Sequence, residues 1–143
     1  MSVNKVILLG NLATEPEFKE LQSGNMCSFV VATNRGWTRD GDRHEDRQFI
    51  PVIGWGKQAE LQKDILQKGR EVYIEGHINV RSWVDEDGNK RFRTEVVTEF
   101  FKALGPRPDG KEDTVSTNDN NKAEDNVEIP DTIEGESDDV PVV

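Results

Sequence analysis

Residues 47–83 read RQFIPVIGWGKQAELQKDILQKGREVYIEGHINVRSW, and the succession of strand, helix and strand in this stretch decides the fold. Arg47–Trp55 is rich in branched and aromatic residues and reads as a strand. Pro51 removes a ladder donor inside it, which predicts a free edge or a bulge at that point. Lys57–Lys68 then changes to helical spacing. Leu61 and Ile65 are i, i+4 neighbours, Leu66 widens the apolar stripe, and Lys68 followed by Gly69 gives a helix end. Arg70–Trp83 alternates: Val72, Ile74, Ile78 and Val80 face one way with Gly76 between them, while Tyr73, Glu75, His77, Asn79, Arg81 and Trp83 face the other.

Val3–Leu12 reads as a buried strand rich in branched aliphatics, and Phe18–Leu21 as its continuation past Pro16. A turn at Ser23-Gly24-Asn25 precedes a second strand, Met26–Asn34, and Asp40-Gly41 marks a hairpin loop before Arg47. Asp87-Gly88 sits in a second long hairpin tip, and Arg91–Leu104 is the last strand. No internal repeat interrupts this order. Three strands, one helix and two strands is the layout of a mainly β OB-fold, a five-stranded Greek-key barrel with a helix between strands 3 and 4. Other small barrels share the pattern.

Charge divides the chain in two. Residues 1–108 hold 16 Lys/Arg and 16 Asp/Glu, whereas residues 109–143 hold 2 Lys and 12 Asp/Glu, which is the entire net charge of −10. All ten aromatic residues lie at or before Phe101. The expected organisation is a folded domain over 1–108 and a disordered acidic tail over 109–143, because the tail has too little apolar surface to offset chain entropy. The acidic overall composition therefore does not exclude a nucleic-acid partner for the head. A single cysteine, Cys27, allows no disulfide within the chain, and the apolar run Val6–Leu9 is too short for a signal core or a membrane span. These features predict a cytoplasmic, nucleoid-associated protein with no membrane partner.

Binding of single strands without sequence preference needs cations along the phosphates and flat side chains on which bases stack. The head interleaves both. Trp37 lies between Arg35 and Arg39. Phe49 and Trp55 bracket a strand with Arg47 and Lys57 outside them. Trp83 follows Arg81, and Lys90, Arg91 and Arg93 follow the hairpin tip. A Trp in a small domain is more often a core or interface anchor than a base platform. Trp83 is the strongest exception, since its same-face neighbours are polar, and Trp37 is next. Trp55 and Phe49 have structural readings too, and Arg39, Arg43 and Arg47 alternate with acids as a solvated, salt-bridged loop does. His44 and His77 have no ligand partners at metal spacing. Cys27 on an apolar strand reads as core, and no phosphate-cradling glycine loop is present. Nothing in the chain calls for a catalytic residue, a metal or a cofactor.

Several blocks resemble the bacterial single-stranded-DNA-binding protein family: Ser2–Leu12 (SVNKVILLGNL), Phe29–Asn34 (FVVATN), Trp55–Glu60 (WGKQAE), Lys68–Gly76 (KGREVYIEG) and Arg93–Val97 (RTEVV). They occur in the family's order over roughly residues 2–105. The resemblance implies base stacking on Trp37, Phe49, Trp55 and Trp83, a homotetramer with DNA around it, and recruitment of replication and repair enzymes by the tail tip. Phe49 stands where relatives commonly have Trp, and Trp55 where they commonly have Phe, so both keep a π-face. Ile50-Pro51 replaces a common His-Arg pair, so a subunit contact made by that pair does not carry over. Family tails end in acids, then Ile or Leu, Pro and Phe. Here the tip is Asp138, Asp139, Val140, Pro141, Val142 and Val143, and loss of the terminal Phe implies weaker partner binding.

The expectation is a non-catalytic, largely sequence-independent binder of single-stranded DNA that protects it during replication, recombination and repair. Arg35, Arg39, Arg81, Arg91 and Arg93 are expected at phosphates and the four aromatic residues at bases. An OB-fold adaptor that has lost DNA binding is one rival, and a small enzyme, disfavoured by the missing catalytic constellation, is another.

Overall fold

The computed structural model describes residues 1–113. The rest of the acidic stretch expected to be disordered, with the tip Asp138–Val143, lies outside the described residues. The elements are β1 (Val6–Leu12), β2 (Glu17–Leu21), β3 (Gly24–Arg39), β4 (Asp42–Trp55), α1 (Lys57–Ile65), β5 (Glu71–Val84) and β6 (Lys90–Leu104). The sheet runs β1-β5-β6-β4-β3, and β1 also pairs with β3, which closes the barrel. β2 lies on β3 alone. The mainly β OB-type barrel expected from the sequence is therefore the fold. β1 and β2 are one strand interrupted: Leu12 pairs with Val31 and Glu17 with Ser28, so Ala13–Pro16 face only two residues of β3. The five-strand count holds with that continuation.

The core is filled by the alternating inward residues of the barrel, Leu8, Leu12, Phe29, Val31, Val52, Val72, Ile74 and Val96, with Ala59 and Leu66 from the helix segment. Gly10 pairs with Val72 of β5 just before β1 gains its second neighbour, for Asn11 pairs with both Glu71 of β5 and Ala32 of β3. A Cβ there would collide with the Ala32 carbonyl oxygen, so only glycine permits the crossing. Pro51 pairs with Val30, whose amide donates to Thr14 Oγ1 (3.1 Å) and whose carbonyl accepts from Ala13 (2.8 Å). Both Val30 groups point away from β4, so the Pro51 nitrogen points away from β3. On that other side β6 joins in parallel only at Val52 and Ile53. The free edge predicted from Pro51 is found there, and the bulge lies instead between Glu75 and Gly76.

Four sequence expectations change. β1 begins at Val6 rather than Val3, and its outer residues Ile7 and Leu9 are exposed. β3 runs on to Arg39, and β4 starts at Asp42, because the two strands pair as a long arm out to Arg39/Asp42. The helix stops at Ile65, since Leu66 turns extended (φ −87°, ψ 144°) and is buried in the core. Its innermost residues are Ala59 and Gln62 rather than Leu61 and Ile65. Gln62 fits because Gly54 opposite has no side chain, and its Nε2 donates to Thr98 Oγ1 at 3.1 Å. Finally, Ile78 and Val80 share the face of Val72 and Ile74 as alternation requires, yet both are exposed. The inward face of β5 continues past the barrel rim, where there is no core left to cover it.

Candidate nucleic-acid interface

β3–β4 and β5–β6 each extend beyond the barrel as a two-stranded arm. Because β4 and β6 pair in parallel at Val52/Val96, the residues before them in each strand leave the barrel at the same end. The first arm carries Arg35–Arg39 opposite Asp42–Asp46, and the second carries Asn79–Val84 opposite Lys90–Glu95.

The four aromatic residues singled out by sequence are all outside the core: Trp37, Phe49, Trp55 and Trp83 are 44, 60, 42 and 43 % exposed. An anchor buried in the core would not be. Strand alternation places Phe49 and Trp55 on one face of β4 together with Arg47. Phe49 and Arg47 line a polar cleft of about 420 Å³ with Asn11 and Asn34. Trp37 lies on the opposite face of that arm, in line with core residues Phe29 and Val31, and its ring stacks on His44, 5.7 Å between centroids and 21° between planes. Trp83 stands on the outer face of the second arm, with the Arg81 guanidinium 5.4 Å from its ring. The structure thus places Phe49 and Trp55 on one face of β4 but roughly 20 Å apart along the strand, and sets Trp37 and Trp83 on the two arms.

The five arginines are not equivalent. Arg35 and Arg81 form no ion pair among the described residues, and Arg39 has only an exposed contact with Asp40 (3.8 Å). Arg93 lies 3.9 Å from Glu95. Arg91 Nε is held by Asp85 at 2.8 Å, which leaves its terminal amino groups free for another anion. Asp85 is itself the organiser of the tip: its Oδ1 accepts from the Asp87 and Asn89 amides at 3.0 and 2.8 Å. The Arg91 hydrogen bond, followed by the backbone amides, holds its carboxyl below the usual carboxylate range. The sequence reads Arg47, with Arg39 and Arg43, as part of a solvated, salt-bridged loop. Arg47 makes no ion pair among the described residues and donates to Asn34 Oδ1 at 3.0 Å beside Phe49. Its alternation with Phe49 on one strand face is the signal that finds it.

Away from the arms, the outer surface of β1, β5 and β6 carries Ile7, Leu9 and Phe100 among polar groups. Glu99 takes His77 Nδ1 at 3.0 Å and Lys5 Nζ at 3.3 Å, which lowers its pKa, the histidine contributing most. Burial pushes the Cys27 thiol up to about 11, so no thiolate is present there at neutral pH. At the far end of β6 the chain folds back. Arg70 is buried, donates to the carbonyls of Ile65 (2.8 Å) and Gly105 (3.4 Å), and grips the Asp113 carboxylate with both terminal amino groups. Arg107 binds Asp109 and Asp113 from the side. Among the described residues no group of His, Cys, Asp and Glu is arranged to hold a metal, and no helix is long and apolar enough to cross a membrane.

A family model described as the single-strand binding protein family matches residues 3–104. The chain is 38 % identical over 111 residues to single-stranded DNA-binding protein 1 of Chlorobaculum tepidum, spanning 76 % of this chain and 68 % of that protein. Among solved structures it resembles a Plasmodium falciparum SSB complex with ssDNA, with TM-score 0.67 and 25 % identity over 73 % of this chain and 97 % of that one. It also resembles a deletion mutant of the single-stranded DNA-binding protein from Thermus aquaticus, with TM-score 0.64 and 30 % identity, covering 73 % of this chain and 52 % of that one.

Proposed function

The chain belongs to the single-strand binding protein family and binds single-stranded DNA, and from that premise we propose that it does so by stacking bases on Trp37, Phe49, Trp55 and Trp83 while cations on the two arms follow the phosphates. Its roles in DNA replication, recombination and repair are those general to the family. The observation that carries the stacking assignment is the exposure of all four rings on a barrel whose core is already filled. Exposure alone is ordinary for a single apolar residue; what supports a nucleic-acid role is the cation beside the ring, Arg81 at 5.4 Å from Trp83 and Arg47 lining one cleft with Phe49. Arg35, Arg39, Arg81, Arg91 and Arg93 serve the phosphates, Arg91 through the amino groups that Asp85 leaves open, and Arg47 joins them beside Phe49. Stacking and phosphate contacts do not read base edges, so the binding is largely independent of sequence.

The protein is read as a non-catalytic, cytoplasmic, nucleoid-associated binder with a head over 1–108 and an acidic tail over 109–143. It assembles as a homotetramer, for which the exposed Ile7, Leu9 and Phe100 on the β1–β5–β6 surface offer apolar contact. Replication and repair proteins read the tail through Asp138–Val143, more weakly than a tip ending in Phe. The test is Trp fluorescence of the full-length protein titrated with oligo-dT and then challenged with other homopolymers and with duplex of equal length. Quenching, with homopolymers competing and duplex not, is the expected result. Preference for duplex, or no quenching, overturns the reading.

A further inference from the structure

Strand alternation gives the β5–β6 arm two faces. Trp83, Arg81, Arg91 and Arg93 share the outer face through the pairs Trp83/Arg91 and Arg81/Arg93. The other face carries Ile78, Val80 and Val84 of β5 with Phe92, Thr94 and Lys90 of β6, through the pairs Val80/Thr94, Ser82/Phe92 and Val84/Lys90. It is the direct continuation of the core-facing side, since Val96 opposite Ile78 is buried. Phe92 is 63 % exposed and Val80 58 %. Lys90 Nζ lies 5.3 Å from the centre of the Phe92 ring, which repeats on this face the pairing of Arg81 with Trp83 at 5.4 Å on the other.

We propose that this second face of the arm is an additional single-strand binding surface, with Phe92 as a fifth base-stacking residue and Lys90 holding the adjacent phosphate. The proposal rests on the DNA-binding reading above and adds a site to it. Three observations favour a nucleotide over a protein as the occupant. The face is small. The seven residues Ile78–Val84 of a strand span about 24 Å, and two strands are about 10 Å wide, so one side offers on the order of 240 Å². A stable protein interface needs about 800 Å² from each partner. The face also has the chemistry of a base platform, a flat ring beside a cation that no carboxylate engages among the described residues. It is continuous with the rest of the path too. Both arms leave the barrel at the same end, and Trp37 lies on the core-facing side of its arm just as Phe92 does on this one. A strand passing between the arms meets Trp37 and Phe92. One that rounds the tip at Asp85–Asn89 meets Trp83 on the outside.

The test uses the full-length protein and the variants Phe92→Ala, Phe92→Trp and Trp83→Ala. Oligo-dT carrying 5-iododeoxyuridine is photo-crosslinked to the wild type and the adduct mapped by mass spectrometry. Affinity is measured on short and long oligo-dT, about 8 and about 40 nucleotides, the second well beyond the roughly 4–16 nucleotides that one such barrel holds. An adduct on Phe92 is expected. So is a loss of about tenfold for Phe92→Ala on the long oligonucleotide, with a much smaller loss on the short one and recovery in Phe92→Trp. A fold defect would weaken both lengths alike, and the exposed position of Phe92 makes an unchanged thermal melt the expected control. Absence of an adduct, with Phe92→Ala within twofold of wild type at both lengths, overturns the site. A fall in oligomeric mass for DNA-free Phe92→Ala assigns the face to a second copy of the chain and overturns it too. If Trp83→Ala weakens binding while Phe92→Ala does not, this site alone fails. If the wild type does not bind oligo-dT, the underlying reading fails.

Discussion

Replacing Asp113 by Asn removes the charge that neutralises Arg70 and keeps the shape of the side chain. Arg70 is 3 % exposed. Without the carboxylate its two terminal amino groups retain the carbonyls of Ile65 and Gly105, and its Nε already lacks a partner. Removing one member of a fully buried ion pair costs about 3–5 kcal/mol. The Asp113 side chain is 32 % exposed, so water screens part of the pair, and an Asn amide oxygen restores one hydrogen bond. The expected loss is therefore about 2 kcal/mol. For a folded unit of this size that corresponds to a fall of about 8 °C in melting temperature, read by calorimetry or circular dichroism at neutral pH. The pH dependence fixes the cause. The hydrogen bond from Arg70, with the charges of Arg70 and Arg107, holds the Asp113 carboxyl below its ordinary value of 3.8. A depressed folded-state pKa stabilises the fold fully above the unfolded value and loses that contribution as pH falls through the folded one. The gap between wild type and Asp113→Asn is therefore constant near neutrality and closes below 3.8. Melting within about 1 °C of wild type at pH 7 would refute the view that Asp113 is the counter-charge of Arg70.

Other expectations concern the ligand and the assembly. Trp83→Ala and Trp37→Ala should each weaken oligo-dT binding by about 1–3 kcal/mol, measured by titration, and losses below about 0.3 kcal/mol at both sites would remove the stacking assignment. Sedimentation at micromolar concentration should give a homotetramer, and a stable monomer would count against that assembly. A cut after Asp113, which keeps the Arg70 pair, should tighten binding of single strands at low salt and change it little at high salt. The expectation is that the acidic tail, tethered to the head, competes for the phosphate path and that salt screens the competition. Equal binding by the cut and full-length proteins at low salt would leave the tail as a tether or docking strand only.

The barrel was readable because its determinants are local. Period-two alternation in Val72–Trp83, the helical stripe after Trp55 and the turn at Asp87-Gly88 each act within a few residues. Pro51 points to a free edge or a bulge on β4, and the structure has the free edge. What escaped depends on residues distant in the chain. Gln62 is buried only because Gly54 leaves room for it, and the helix ends early because Leu66 is drawn into the barrel. Ile78 and Val80 carry the inward pattern correctly, but alternation does not say where the barrel rim lies. The same limit hid the role of Asp113. In sequence it is one of many tail acids, and only the fold brings it across to Arg70. For the candidate site, composition found the rings and cations. Which cations are already engaged, as Arg91 is by Asp85, needed coordinates.

Upstream of Val52, β4 has no neighbour on the β6 side among the described residues, so the amides of every second residue there face outward. Such a row of unpaired donors invites another chain to add itself as a strand, the first step of fibrous association. At residue 51 the row is broken, because proline has no hydrogen to offer. Charged Arg47, Glu45 and Arg43 follow on the same face, where like copies would repel in parallel register. The substitution Pro51→Val is neutral for the ladder with β3. Its penalty would appear as turbidity on long incubation of the concentrated protein.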